Sequence, residues 1–269
     1  MSSRSSIQRH HPGPGVQTGN AVVEAMLDRL VPDMRGTLGS RLVGLYLMGS
    51  ALTYDFDPDV SDLDLVAVLS ADLGGADLVG PGSVHRRFVE RHRDWEGRLE
   101  VVYVSTDTLR SFRIRPGALA VISPGEPLHI LEPDPDWLIH WYLLRTTGRS
   151  LYGPSPRTLI PPITRSEFIE SVKHHALGWH VWSGAANHLG SQAYAILTMC
   201  RALHLCRTGR QASKRQAALW AQAQMPEWST LMADALWWRR ETSELDGRRT
   251  LARTRAFLAS VAERIAREE

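Results

Sequence analysis

Two aspartates separated by one residue, Asp62 and Asp64, open an apolar run that ends at Leu69, and an earlier apolar run, Val43 to Met48, ends in Gly49-Ser50. Side chains on a strand alternate, so Asp62 and Asp64 project from one face. Two carboxylates held that close repel and raise each other's pKa unless a cation lies between them. The cation that suits them is Mg²⁺, a hard ion that takes one or two carboxylates together with substrate phosphate oxygens. Gly49-Ser50 leaves the end of the first run without a bulky side chain, so backbone N–H groups and a hydroxyl can approach a phosphate. The competing reading is an Asp-rich loop that caps turns between ordinary strands. Solvated turns, however, have no reason to set two acids on one face of an apolar strand.

The elements that must position these groups follow from the same pattern. Val43–Met48 and Leu63–Leu69 are short and rich in branched residues, which predicts two buried strands. Arg98–Ser105 predicts a third, with Leu99, Val101 and Tyr103 alternating against Arg98, Glu100 and Val102. A carboxylate on a neighbouring strand can sit beside the Asp pair, which makes Glu100 a candidate; the plainer alternative is an edge-strand Glu facing water. Asn20 reads as the N-cap of a helix using Val22, Val23, Met26, Leu27 and Leu30. Residues 72–83 read as a glycine-rich loop, Val84–His92 as a short charged helix, and the stretch from Thr106 to Gly153 as turns plus a helix over Asp136–Thr147. Pro156, Pro161 and Pro162 make a stiff connector, so the expected division is a disordered tail at 1–19, one domain at 20–155 and a second at 156–269. Beyond Thr164 every segment has helical spacing, with helices expected near 165–185, 189–207, 213–224, 227–241 and 244–267. The fold class is therefore an α/β N-terminal domain, a mixed sheet with flanking helices, followed by an all-α helical bundle.

Composition bounds the partners. The 269 residues carry 31 Lys+Arg against 29 Asp+Glu, a net charge of +2. That balance calls for neither nucleic acid nor an anionic membrane. No stretch is long enough to span a bilayer and residues 1–19 lack the apolar core of a signal peptide, which predicts a soluble, cytoplasmic protein; the expected state is a monomer. Cys200 and Cys206 lie six residues apart on a predicted helix and point to different sides, so they read as ordinary thiols. Adjacent His174 and His175 cannot face one metal, and zinc is not expected there.

Gly-Ser, a spacer, then Ser61-Asp62-x-Asp64 opening a strand resembles the active-site signature of the polymerase-β-like nucleotidyltransferases. The second half narrows the likeness. Ala195 to Lys214, followed by Ala217-Ala218-Leu219-Trp220-Ala221 and Pro226, resembles the C-terminal helical domain of the aminoglycoside adenylyltransferases, the spectinomycin/streptomycin type being nearest. The resemblance implies Mg²⁺, with ATP as co-substrate and transfer of AMP to a hydroxyl of a small acceptor. It implies that Asp62 and Asp64 bind metal, that Glu100 is the third acid, ligating metal or acting as base, and that Gly49, Ser50, Ser61, Arg201 and Lys214 contact the nucleotide. The physical sense is clear, because a triphosphate beside three carboxylates needs more positive charge than one dication supplies, and a Lys at a helix start is ill-placed unless an anion is near.

Members of that family acting on streptomycin and spectinomycin carry acids just before the second-domain helix, and a Trp stacks on streptomycin. Here Asn187 and Ser191 fall where the acids would be, and Glu126-Pro127-Leu128-His129 has no Trp. Asn187, Ser191, His129 and Trp182 are the acceptor-binding candidates, and the acceptor expected is an aminoglycoside or aminocyclitol such as spectinomycin. Two readings from other classes are a regulatory or antitoxin-like transferase that modifies protein or RNA, and a nucleotide-binding module without catalysis.

Overall fold

The computed structural model describes residues 18–268 apart from 54, 116, 125, 180–186 and 241–244; most of the expected N-terminal tail, and Trp182, lie outside the described residues. Helix α1 (Ala21–Leu38) starts where the Asn20 side chain accepts hydrogen bonds from the Val22 and Val23 N–H groups. The apolar runs become strands β1 (Leu42–Met48), β2 (Leu63–Leu69) and β3 (Leu99–Ser105). Each is buried along almost its whole length because both faces of the sheet are covered.

Helix α2 connects β2 to the parallel β3. It runs Val79–Arg91, five residues longer at its start than the sequence pattern suggests. Pro81 falls in the first turn, where a missing N–H would have had no helical partner, so it does not block the helix. A short helix α3 (Thr106–Ser111) follows β3. The stretch expected to hold only turns and a helix also supplies a hairpin, β4 (Leu119–Ser123) with β5 (Glu126–Leu131), and an edge strand β6 (Arg149–Tyr152) after α4 (Trp137–Thr147). These strands are short and interrupted by polar residues, and only pairing to neighbours fixes them. The sheet order is β5-β4-β3-β2-β1-β6, all antiparallel except β2 with β3. Helices α1 and α2 cover one face, through Met26, Leu30, Met34 and Phe88 against Leu65 and Val101. On the other face Trp141 and Leu144 of α4 pack on Tyr46, Val66 and Val102.

A single-turn helix α5 (Pro156–Leu159) leads into the helical half: α6 (Arg165–Gly178), α7 (Leu189–Thr208), α8 (Lys214–Gln224), α9 (Ser229–Trp238) and α10 (Leu251–Ala266). Helix α7 is its axis, burying Ile196, Leu197, Met199, Cys200 and Leu203 against the other helices. The last helix begins later than expected because residues 245–250 form a turn tied to the start of α7. There the buried Gln192 donates to the Gly247 carbonyl at 2.6 Å and accepts from the Thr250 and Thr254 hydroxyls at 2.8 and 2.6 Å. The Gly247 N–H reaches the Asn187 carbonyl at 2.5 Å. Replacing Gln192 by Leu strands the Thr254 hydroxyl in the core, and a buried unsatisfied group costs on the order of 1–3 kcal/mol. The expected result is a clear fall in the urea midpoint of Gln192→Leu with an unchanged slope.

Candidate active site

Register places the acids. In the parallel β2–β3 pair Asp64 lies directly opposite Glu100, and across the antiparallel β1–β2 pair Asp64 lies opposite Met48. Tyr46, Val66, Val102 and Val121 belong to the core on the α4 side. By alternation Asp62, Asp64 and Glu100 therefore emerge on that same side, at the end of the sheet where α4 no longer covers it.

Gly49 follows directly, with φ +72°. A Cβ there would overlap the Asp64 carboxylate, so both the left-handed backbone and the close approach require glycine. The Ser50 N–H donates to the Asp64 carboxylate. Burial, then repulsion from Glu100 and Asp62, pushes the Asp64 carboxyl up to about 8. Burial first, then the Asp62 charge, lifts Glu100 to about 7. Asp62 is also raised by burial, with Lys214, Arg98 and Arg239 pulling the other way.

The spacer between Gly49 and Asp62 is held by Arg98 and Ser61. Arg98 stacks on the Trp95 ring, 4.2 Å from its centroid, and donates to the carbonyls of Pro58 at 2.6 Å and Ser61 at 2.5 Å. Ser61 is buried, and its hydroxyl accepts from the Asp57 N–H at 3.0 Å and from Arg239 at 3.0 Å. The structure thus ties Ser61, expected at the nucleotide, to the spacer loop and to α9.

Cations face the acids from the helical half. Lys214 is the first residue of α8, Arg201 lies on α7, and Arg239 follows α9. Burial, then repulsion from Arg239 and Arg201, lowers Lys214 to about 8. Arg201 is walled in by protein yet open to solvent in the cleft, and its pKa too is lowered, chiefly by burial. Lys214 Nζ rests 4.8 Å from the centre of the Tyr194 ring, itself 53% exposed. Among the described residues none of Asp62, Asp64, Glu100, Arg201 and Lys214 makes a salt bridge, although the two sets of charges sense each other. The two sets of charges face each other without pairing.

Of the residues expected from sequence, Asp62, Asp64, Glu100, Gly49, Ser50, Arg201 and Lys214 lie around this cleft. His129 sits on β5, on the acids' face of the sheet, its Nδ1 2.8 Å from the Pro127 carbonyl and its Nε2 3.9 Å from the Glu126 carboxylate. Asn187 and Ser191 flank the start of α7, with Asn187 exposed. Arg239 and Tyr194 had no signal in the sequence, since Arg239 follows a pair of tryptophans at a helix end and Tyr194 looks like one more residue of an apolar helix. Among the described residues no three His, Cys, Asp or Glu side chains are grouped to enclose a metal ion alone. A dication here would draw further ligands from outside, as Mg²⁺ does from phosphates. The mutual repulsion of Asp62, Asp64 and Glu100 fits such an ion, which would relieve it.

Residues 158–264 match the family described as aminoglycoside adenylyltransferase, C-terminal domain. The chain is thus similar, over its helical half, to the C-terminal domain of that family. Its fold is similar to that of the spectinomycin adenyltransferase AAD(9) from Enterococcus faecialis, solved in a crystal structure with ATP and spectinomycin. The TM-score is 0.72 at 16% identity, over 91% of this chain and 99% of that one. No curated protein sequence matches this chain significantly. Among the described residues no helix is long and apolar enough to cross a membrane.

The acid row predicts an unusual pH dependence of stability. Asp64 is raised from the ordinary 3.8 to about 8, so between those values the folded protein keeps a proton that the unfolded chain has released. Its contribution is complete below the lower value and is lost as pH climbs through the upper one. In chelator, without nucleotide, Asp64→Asn is expected to melt at a higher temperature than the parent at about pH 8. The gap should shrink toward about pH 5, a constant gap being the result that contradicts the shift. Gly49→Ala, by contrast, should lower the melting temperature at every pH, because its clash does not titrate.

Proposed function

We propose that this protein moves AMP from ATP to a hydroxyl of an aminocyclitol or aminoglycoside antibiotic, with spectinomycin as the best candidate. The observation that carries the reading is the in-register Asp64–Glu100 pair faced by Arg201 and Lys214 of the other half, with no salt bridge from any of the four among the described residues. A site with this layout suits a polyanion that brings its own cation.

Asp62 and Asp64 would hold Mg²⁺, which when bound offsets charge on the phosphates and draws the reacting oxygens together. Glu100, with a carboxyl poised at about 7, accepts the proton of the acceptor hydroxyl. The freed oxygen bonds to the α-phosphorus as the bond to pyrophosphate breaks, in line. Arg201 and Lys214 take up the charge that grows on the departing pyrophosphate, with Arg239 adding to the field. Gly49 and the Ser50 hydroxyl border the phosphates, while Ser61 keeps the spacer loop in place.

The acceptor side is poor in charge. Asn187 and Ser191 offer hydrogen bonds, His129 one imidazole, and Trp182 stands as a further candidate. Streptomycin carries two guanidinium groups, and each lost charge-assisted contact is worth about 1.5–3 kcal/mol, so two would weaken binding by orders of magnitude. A compact acceptor depends less on such contacts.

Purified protein with MgATP and either drug decides the matter. Expected is pyrophosphate release and an AMP adduct with spectinomycin, little with streptomycin, and a loss of about 100-fold or more in kcat for Glu100→Gln. Vigorous streptomycin modification would overturn the acceptor assignment, and full activity in Glu100→Gln would overturn its role as base. Arg201→Ala and Lys214→Ala should each weaken MgATP binding in calorimetry, and unchanged affinity in both would make them surface cations.

A further inference from the structure

One group of side chains near the cleft has no part in the reaction just described. At the start of α4, the Asp136 carboxylate is met by two adjacent histidines of α6: His175 Nδ1 lies 2.8 Å from Oδ2 and His174 Nδ1 lies 3.2 Å from Oδ1. The indole N–H of Trp179, one turn further along, points at His175 Nε2 from 2.9 Å. A tryptophan N–H can only donate, so His175 Nε2 must be the acceptor. The ring proton therefore sits on Nδ1 and is given to Asp136. The three side chains fix one another, and they fix His175 as a neutral ring in one tautomer.

The chain of contacts continues toward the cations. The Trp179 ring packs against Tyr194, with centroids 5.9 Å apart and a tilt of 42°. Tyr194 also hydrogen-bonds the Thr198 side chain one turn along α7. Lys214 Nζ lies on the Tyr194 ring, 4.8 Å from its centre. Asp136 belongs to the helix that packs on the sheet, whereas Trp179 packs on the core of the helical half. The contacts thus run from one half of the molecule, through α6, to the lysine that faces the acids of the first half.

We propose that Asp136, His175 and Trp179 form a positioning relay that holds Tyr194, and through it Lys214, at the place where Lys214 meets the nucleotide phosphates. This rests on the reading of Lys214 as a phosphate-binding residue. His175 touches neither substrate nor reacting atoms; it sets the angle of the indole, and the indole backs the tyrosine. Placing a flexible four-carbon ammonium is costly in rotamer freedom, and an aromatic face held from behind removes much of that freedom before ATP arrives.

The test is calorimetric titration of MgATP into the full chain and its variants. His175→Phe keeps a ring but removes both hydrogen bonds, and Trp179→Phe keeps a ring but removes the donor. Each is expected to weaken MgATP binding about three- to tenfold, the size of one net hydrogen bond. His175→Gln, whose amide oxygen reaches toward the indole N–H, should recover part of the loss. In a Lys214→Ala background neither substitution should weaken binding further, because the relay then has nothing to hold. Additive losses in that background, or unchanged affinity in both ring variants, would overturn the relay while leaving Lys214's own role intact. If Lys214→Ala alone leaves MgATP affinity unchanged, the phosphate reading fails and the relay fails with it.

Discussion

Like charge pressed together on each side of a cleft, with opposite charge across it, is the constraint on which this molecule is built. The parallel pairing of β2 with β3 puts Asp64 opposite Glu100, and Asp62 emerges two residues before Asp64 on the same face. The cost of burying these acids appears as raised carboxyl pKa values, to about 8 at Asp64 and about 7 at Glu100. The cations opposite pay in the same way, with Lys214 lowered to about 8. Direct pairing would relieve both sides but close the cleft. The fold prevents it by mounting the two sets on separate cores.

That separation requires the halves to be held apart as firmly as they are held together. The contacts that do this join loops and helix ends of the two halves. Asp57 of the spacer loop pairs with Arg240 at 3.2 Å, the neighbouring Asp55 accepts from Ser213, and Ser61 meets Arg239. On another side Arg113, after α3, pairs with Glu167 of α6 at 2.8 Å, and Asp136 meets His174 and His175. Several of these pairs are half-exposed and individually worth little. Their value is geometric: Ser213 caps α8 directly before Lys214, so the bond to Asp55 ties the start of that helix to the loop that ends at Asp62.

Much of this was legible in the residues. Strand β2 was marked to its ends because an apolar run between acids and a turn has no other use, and the pairing of Asp62 with Asp64 on one face follows from the period of a strand alone. The Asn20 cap was equally local. By contrast β4, β5 and β6 carry weak signals, and it is pairing to β3 and β1 that makes them strands. The start of α2 was hidden by Gly80, Pro81 and Gly82, which read as a loop until the first turn of a helix is seen to tolerate them. The late start of α10 depends on Gln192, which lies more than fifty residues away along the chain.

What the sequence determined by itself, then, was chemistry within reach of its own backbone: two acids on a strand, a glycine beside them, and helices with one apolar stripe. Only the tertiary structure decided which charges oppose which. Arg239 and Tyr194 carry no local mark, because a guanidinium after a helix and a tyrosine within one look alike whether they face solvent or a cleft. The tautomer of His175 is of the same kind, since it is set by an indole one turn away and a carboxylate on another helix. Such properties belong to distances between segments far apart in the chain, and those distances exist only once both cores have formed.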